Sequence, residues 1–386
     1  MATRTSRQKK SRVTKKTAVR AKKKPNKKAL VRKTVKKKGT AAVSQTRRVV
    51  KKHSPLRLKK PRHNPIIMPR GHHDWESWQV FNPGVVDLHG RVRFVYRAIG
   101  HDAMSRLGYA SSLDGFSVDE RLPYPVYEHR LSRYGGLVYS PSGGSWGGSE
   151  DPRLTYIEED DRVYMTYTAC DGGLGVALTS IPRKDFVEKR WNWKRPVIIS
   201  SPHEVHKNWV LFPEKFNGKY ALLHSIKPEI GIEYLSDLEF ENGWVHSHWA
   251  DGKRPKSCWD HYIRGAGAPP LKTPYGWLLF YHANSKKDGW RYKVGALLLD
   301  LNDPTKILAR SPEPLLEPDS WYEHEGFKAG IVYVSGVAVR DGELLVYYGG
   351  ADSYVCVAHA DFETFLNELK TGGRPRLKQT RVTKAA

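Results

Sequence analysis

The sequence predicts an all-β fold, a five-bladed β-propeller, with a disordered basic N-terminal tail. Three observations carry that prediction. A turn followed by a dense aromatic and β-branched run recurs five times at blade-sized intervals, a second apolar strand follows each copy at a steady offset, and residues 1–62 hold 26 Lys and Arg with no carboxylate.

The tail comes first in the chain. Runs such as Lys22-Lys23-Lys24 and Lys36-Lys37-Lys38 precede the first acid, Asp74, and the rest of the chain then balances at 39 basic against 40 acidic residues. A segment of Lys, Arg, Ala, Val and Thr buries too little apolar surface to offset its ordering entropy, so residues 1–65 read as disordered. Such an arm attracts polyanions by releasing their counterions, and residues 1–62 point to nucleic acid or another anionic surface as partner. It is too rich in Lys and too poor in Ser for a typical transit peptide. Residues 371–386 form a second, smaller basic end, leaving residues 66–370 as one domain large enough for a substantial core.

Within that domain the repeats are His89-Gly90 before RVRFVYR, Asp160-Asp161 before RVYMTYT, Asn217-Gly218 before KYALLHS, Tyr275-Gly276 before WLLFYHA and Asp341-Gly342 before ELLVYYG. From Gly90 through Asp161, Gly218 and Gly276 to Gly342 the intervals are 71, 57, 58 and 66 residues. The second strands begin near Leu107, Leu174, Ile230, Val294 and Val355, usually with Gly between apolar residues. Turn, strand, loop and strand at this period describe a propeller blade. A β-sandwich of short strands is the alternative, but it gives no reason for five copies of one motif.

No apolar run reaches the length of a membrane span, and none follows the basic start as a signal peptide would require. Cys170, Cys258 and Cys356 are few, distant and odd in number, which fits a reducing compartment, and no metal-binding spacing such as CxxC occurs. The expected location is cytoplasmic. The oligomeric state is left open.

Polar residues recur at the ends of the aromatic runs: Arg97 after Tyr96, His224 after Leu223, His282 after Tyr281 and Asp352 shortly after Tyr348. In a propeller these positions surround the central channel. Ser149-Glu150-Asp151-Pro152-Arg153, behind the glycine-rich Gly143–Gly148, adds two adjacent carboxylates that read equally as a site or as a turn with an ion pair. His206-Lys207 enters an apolar strand. Trp259-Asp260 leads into Arg264-Gly265-Ala266-Gly267-Ala268-Pro269-Pro270, whose glycines admit a close backbone approach to a ligand.

Together these segments resemble the glycoside hydrolase family 130 mannoside phosphorylases, which are five-bladed propellers. The resemblance runs from about Phe81 to Leu369 and rests on Phe81-Asn82-Pro83-Gly84, Tyr96-Arg97-Ala98, Ser105-Arg106-Leu107-Gly108, Glu150-Asp151-Pro152-Arg153, Val210–Lys215, Gly265–Pro270, Arg291–Ala296 and Tyr347–Asp352. It implies phosphorolysis of β-mannosides with inversion, giving α-mannose 1-phosphate and a shortened acceptor. Asp151 would be the general acid, acting through a hydroxyl of the mannose ring, with Glu150 and Arg153 fixing it and the sugar. Asn82, Ser105, Asp260 and Asp352 would complete the sugar contacts, and Arg97, Arg106, Lys207, Arg264 and His282 would hold phosphate. Inorganic phosphate is then a co-substrate, and no other cofactor or metal is expected. An ordinary inverting hydrolase needs a second carboxylate to activate water, whereas phosphate is already an anionic nucleophile.

Three departures bear on that implication. The family often carries Arg where this chain has Asp171-Gly172-Gly173-Leu174, and again where it has Ser225, and Lys328–Tyr333 stands in place of Asn-Val-Val-Phe. Each removes an anion or sugar contact, which keeps two other readings open: an inverting β-mannosidase using water, and a non-catalytic carbohydrate-binding propeller tethered by its basic tail.

Overall fold

A computed structural model describes residues 56–129, 142–170, 172–202, 204–227, 229–241, 243–247 and 253–372. Residues 1–55 and 373–386, which hold most of the two basic extensions, lie outside the described residues. Among those described, the regular structure is β apart from two α-helices, Arg183–Val187 and Phe362–Lys370, and isolated 3₁₀ turns. None of its helices is long and apolar enough to cross a membrane.

Each aromatic run becomes the middle strand of an antiparallel meander: Arg91–Ile99, Arg162–Cys170, Tyr220–Ile226, Gly276–Asn284 and Glu343–Gly350. The second strands pair beside them as Met104–Ser112, Leu174–Pro182, Ile230–Leu235, Lys293–Leu299 and Tyr354–Asp361. Gly276–Asn284 is buried at every position, the pattern of a strand covered on both faces. The turns that start the runs explain their composition. His89-Gly90 and Asp341-Gly342 each link strands across two residues of positive φ, 51° and 69°, then 50° and 81°. That is the geometry of a tight hairpin that favours Gly, Asn and Asp.

A third strand precedes each run: Gln79–Leu88, Gly147–Ile157, Val210–Leu211, Tyr262–Ala266 and Val332–Arg340. The first two meanders join in one eight-stranded sheet through a short parallel pairing of Met104 with Gly147 and Ser105 with Gly148. The other three form sheets of three, five and three strands.

Five apolar clusters fill the spaces between successive meanders. One joins the first to the second through Val95, Tyr109, Met165 and Tyr167, and another joins the second to the third through Leu178, Trp209 and Leu222. The third meets the fourth at Leu223, Trp277 and Tyr281, and the fourth meets the fifth at Phe280, Val334 and Tyr348. The last cluster returns from the fifth to the first through Phe94, Tyr96, Leu345 and Tyr347. Gly336 is part of that return contact, since a Cβ there would lie 2.3 Å from Val85.

The predicted start of the domain at residue 66 is too late. Leu58 is buried in the cluster between the fourth and fifth meanders. Lys59 pairs with His359 and Ile67 with Val355, while the Asn64 amide donates to Val357 O at 2.7 Å and its Oδ1 accepts from Val357 N at 3.0 Å. This segment covers the otherwise open edge of Tyr354–Asp361, which explains why it is ordered despite its basic composition. The helix Phe362–Lys370 follows that strand, capped by the Asp361 carboxylate on Thr364 N, and buries Phe365, Leu366 and Leu369.

Candidate active site

The leading strand of four meanders carries a register shift: Phe81/Gly84, Glu150/Arg153, Ile263/Gly265 and Val334/Gly336. A bulge turns one residue out of the alternation and re-aims its side chain. Asn82 and Asp151 sit at two of these shifts with φ of 47° and 50°, and Asn208, just ahead of Val210–Leu211, has φ 66°. Asn and Asp tolerate this left-handed backbone better than most residues.

Glu150 is fully buried and bonded through both oxygens. Oε1 accepts from Arg97 at 2.7 Å and Ser145 Oγ at 3.1 Å, and Oε2 accepts from Lys207 at 2.9 Å and Ser142 Oγ at 3.0 Å. Asp151, 6% exposed, uses the other side of the same guanidinium. Its Oδ1 accepts from Asn82 Nδ2 at 2.7 Å and Arg97 Nη1 at 3.3 Å. Among the described residues its Oδ2 takes no hydrogen bond. Arg97 is completed by Ser105 Oγ at 2.9 Å and stacks over Phe81 at 4.7 Å.

Arg153 ties the second meander to the third, fourth and fifth. It donates to Gly267 O at 2.7 Å, Asn208 Oδ1 at 3.1 Å, Tyr333 Oη at 3.0 Å and the carbonyl of Asp151. Tyr333 also donates to Asn208 and stacks on His282 with ring centroids 4.0 Å apart. Lys207 and Arg264 line one cavity between the third and fourth meanders. Arg264 bonds Asn284 Oδ1 at 3.2 Å, and its guanidinium lies 5.8 Å from the Tyr292 ring centre, whose other cation is Lys328 at 5.5 Å.

The electrostatics follow from burial against charge. Burial works to raise Asp151, but Arg97, Arg153, Lys207 and the Asn82 bond together hold it below the usual carboxylate range. Burial also works against the charges of Arg97 and Lys207, and Glu150 and Asp151 overcome it, so both cations hold their protons more tightly than usual. Asp352, fixed at φ 50°, is pushed up to about 6 by burial and by the charge of Asp151, against the pull of Lys328 and Arg97. Five cations, Arg97, Arg153, Lys207, Arg264 and Lys328, thus face the three carboxylates Glu150, Asp151 and Asp352. The excess is positive.

Of the residues singled out in the sequence, Asn82, Arg97, Ser105, Glu150, Asp151, Arg153 and Lys207 form this network, with Arg264 and Asp352 beside it. Three expectations are corrected. Arg106 alternates to the opposite side of its strand from Ser105 and is held by both oxygens of Asp102 and by Glu128, so it does not join the cluster. Asp260 is buried against Arg254, Arg310 and Tyr281 Oη, where it anchors its loop to the fourth meander. His282 is beside the site but is not a cation: burial, then Arg153, push it down to about 3. Its Nε2–H donates to Val334 O at 2.8 Å, which leaves Nδ1 as an acceptor with nothing to offer a phosphate oxygen. Asn208, Tyr292 and Tyr333 were missed. Asn208 follows the quoted His206-Lys207 pair, and Tyr333 ends one of the segments that departs from the family pattern.

The chain belongs to glycoside hydrolase family 130, a family of carbohydrate-active enzymes: that family, described as β-1,4-mannooligosaccharide phosphorylase, matches residues 12–371. The chain is similar to the 1,2-β-oligomannan phosphorylase of Thermoanaerobacter sp. (strain X514), 37% identical over 312 residues, 78% of this chain and 97% of that one. It is also similar to the β-1,2-mannobiose phosphorylase of the same organism, 34% identical over 319 residues with the same coverage. Among solved structures, the β-1,2-mannobiose phosphorylase of Listeria innocua in complex with β-1,2-mannobiose superposes with a TM-score of 0.64 at 26% identity, covering 81% of this chain and 99% of that one.

Proposed function

We propose that this protein is an inverting β-mannoside phosphorylase on a five-bladed β-propeller. The propeller is supported by five meanders whose apolar clusters run in a cycle, the last returning to the first. The activity is supported by family membership, and the β-1,2 linkage by the names of the two relatives above. The observation that carries the mechanism is the Glu150–Asp151 pair, one carboxylate with a cation and a serine on each oxygen and the other with an oxygen that takes no hydrogen bond among the described residues.

In this reading a phosphate oxygen bonds to the mannose C1 as the bond from C1 to the bridging oxygen breaks. The proton on Asp151 Oδ2 passes through a ring hydroxyl to the bridging oxygen, leaving α-mannose 1-phosphate and the shortened acceptor. Lys207 and Arg264 hold the nucleophile and its charge in the transition state, and Arg97 positions both carboxylates. Among its protein neighbours alone Asp151 is held ionised, the wrong form for an acid. A phosphate dianion beside Lys207 and Arg264 adds negative charge near Asp151 and shares the cations that depress it, so its pKa rises when the co-substrate binds. Phosphate therefore readies its own acid.

All three cysteines are unpaired, which supports a reducing, cytoplasmic compartment. The test of function is incubation with β-1,2- and β-1,4-mannobiose, with and without phosphate. Mannose 1-phosphate formed only with phosphate is expected; free mannose formed equally well without it would replace this reading with hydrolysis, and binding without turnover would replace it with a lectin-like role.

A further inference from the structure

One hydroxyl beside the site has no role in the chemistry above. Tyr333 stands where the family pattern ends in Phe, and its ring stacks on His282 with the two planes 11° apart. The hydroxyl closes a triangle. Arg153 Nη2 donates to Tyr333 Oη at 3.0 Å and to Asn208 Oδ1 at 3.1 Å, while Tyr333 Oη donates to the same Asn208 oxygen. Burial raises Tyr333 well above its ordinary value, against the pull of Arg153, so the hydroxyl keeps its proton and remains a donor.

The triangle joins the two halves of the reaction. On one side Arg153 Nη1 donates to the carbonyl of Asp151. On the other, Asn208 directly follows Lys207, and its Nδ2 donates to Arg264 O at 3.4 Å, so one side chain spans two cations that line the same cavity. The amide has a single orientation. Arg153 cannot accept a hydrogen bond, so Oδ1 faces it and Nδ2 faces the cavity. Little slack remains there: a Cβ at Gly265 would lie 2.7 Å from Asn208 Nδ2, and the Asn208 backbone is fixed at φ 66°.

We propose that Tyr333 is a positioning residue for the phosphate half of the reaction, its hydroxyl holding the Asn208 amide and, through it, the spacing of Lys207 and Arg264. The inference rests on the activity proposed above. Recognition of an anion by several donors depends on their being held at a fixed separation. Without the hydroxyl, Arg153 keeps Gly267 O, Asp151 O and Asn208 as acceptors, whereas Asn208 Oδ1 loses one of its two donors. The effect therefore falls on the phosphate cavity more than on Asp151.

Tyr333→Phe removes one oxygen and keeps the ring on His282. The phosphate KM, and the Kd of inorganic phosphate by calorimetry, should rise about three- to tenfold, the scale of one hydrogen bond, with the mannobiose KM within about twofold. Asn208→Gly, which accepts the positive φ, should weaken phosphate at least as much. Adding Tyr333→Phe to it should change the phosphate Kd by less than about twofold, because the hydroxyl then has nothing to act through. A hydroxyl that served the fold alone would lower the melting temperature and kcat and leave both KM values unmoved. That pattern, equal rises in the two KM values, or full additivity of the two substitutions overturns the assignment, as does a wild type that binds no phosphate. A wild type that binds phosphate but forms no mannose 1-phosphate from mannobiose fails the activity reading instead, and the calorimetric comparison with Tyr333→Phe then decides the positioning role.

Discussion

Replacing Asp352 by Asn tests whether this carboxyl carries its proton to unusually high pH, and the expected effect is on stability. Burial and the neighbouring Asp151 charge raise Asp352 from 3.8 to about 6. Below pH 4 the group is protonated in folded and unfolded chains alike. Between pH 4 and 6 the unfolded chain loses the proton while the folded one keeps it, and above 6 the folded chain must hold a disfavoured charge. The wild type therefore loses stability as pH rises through this window. A shift of roughly 2 units at about 1.4 kcal/mol each is about 3 kcal/mol. Asn keeps the shape, tolerates the φ of 50° and never ionises. Phosphate-free thermal unfolding should show the two proteins alike near pH 4, and Asp352→Asn more stable by roughly 4–5 °C at pH 8. A difference that stays constant from pH 4 to 8, or a variant less stable at pH 8, refutes the reasoning.

Asp151→Asn should lower turnover of mannobiose by about 10²–10⁴, the usual worth of a positioned acid, and full activity would remove Asp151 from that role. Glu150→Gln removes the charge that compensates buried Arg97 and Lys207, so chemical denaturation should report a loss of about 3–5 kcal/mol; a loss below about 1 kcal/mol would mean that the cations find other partners. The pH profile of the wild type's turnover should show its alkaline limb, set by loss of the Asp151 proton, moving to higher pH as phosphate is raised, and a limb insensitive to phosphate would contradict the coupling. Deletion of residues 1–55 should leave turnover intact and abolish salt-sensitive retention on heparin, whereas deletion through residue 70 should lower the melting temperature because Leu58, Asn64 and Ile67 are lost with it.

What the sequence revealed and what it hid follow from one physical difference between strands. Middle strands such as Arg91–Ile99 and Gly276–Asn284 are buried on both faces, so each reads as a dense apolar run, and its turn residues mark where it starts. The leading strands hold polar residues at bulges. Glu150-Asp151-Pro152-Arg153 therefore looks like a turn with an ion pair, although it lies within the strand Gly147–Ile157. The bulge itself leaves no periodic trace: only the family resemblance drew attention to Asn82, and only it gave Asp151, already noted beside Glu150, a role. Arg106 failed for the opposite reason: it shares a motif with Ser105, but strand alternation sends the two side chains to different sides. His282 and Asp260 failed because sequence cannot show that one ring is held neutral and that one carboxylate is already matched by two arginines.

The remaining choice, between phosphate and water, turns on how the carboxylates are used. An inverting hydrolase requires an ionised carboxylate with room to bind a water on the face opposite the leaving group. Glu150 cannot serve, since both its oxygens are taken by Arg97, Lys207, Ser142 and Ser145. Asp151 is the acid. Among the described residues of the cluster that leaves Asp352, whose pKa near 6 would suit a base, but the cluster as a whole holds more cations than carboxylates. That excess strengthens binding of a dianion and does nothing for a neutral water. Asp352→Asn therefore separates the mechanisms as well as the protonation states. Under phosphorolysis it should weaken mannoside binding while retaining a measurable kcat. Under hydrolysis it should remove the base and lower kcat by the same 10²–10⁴ expected for the acid.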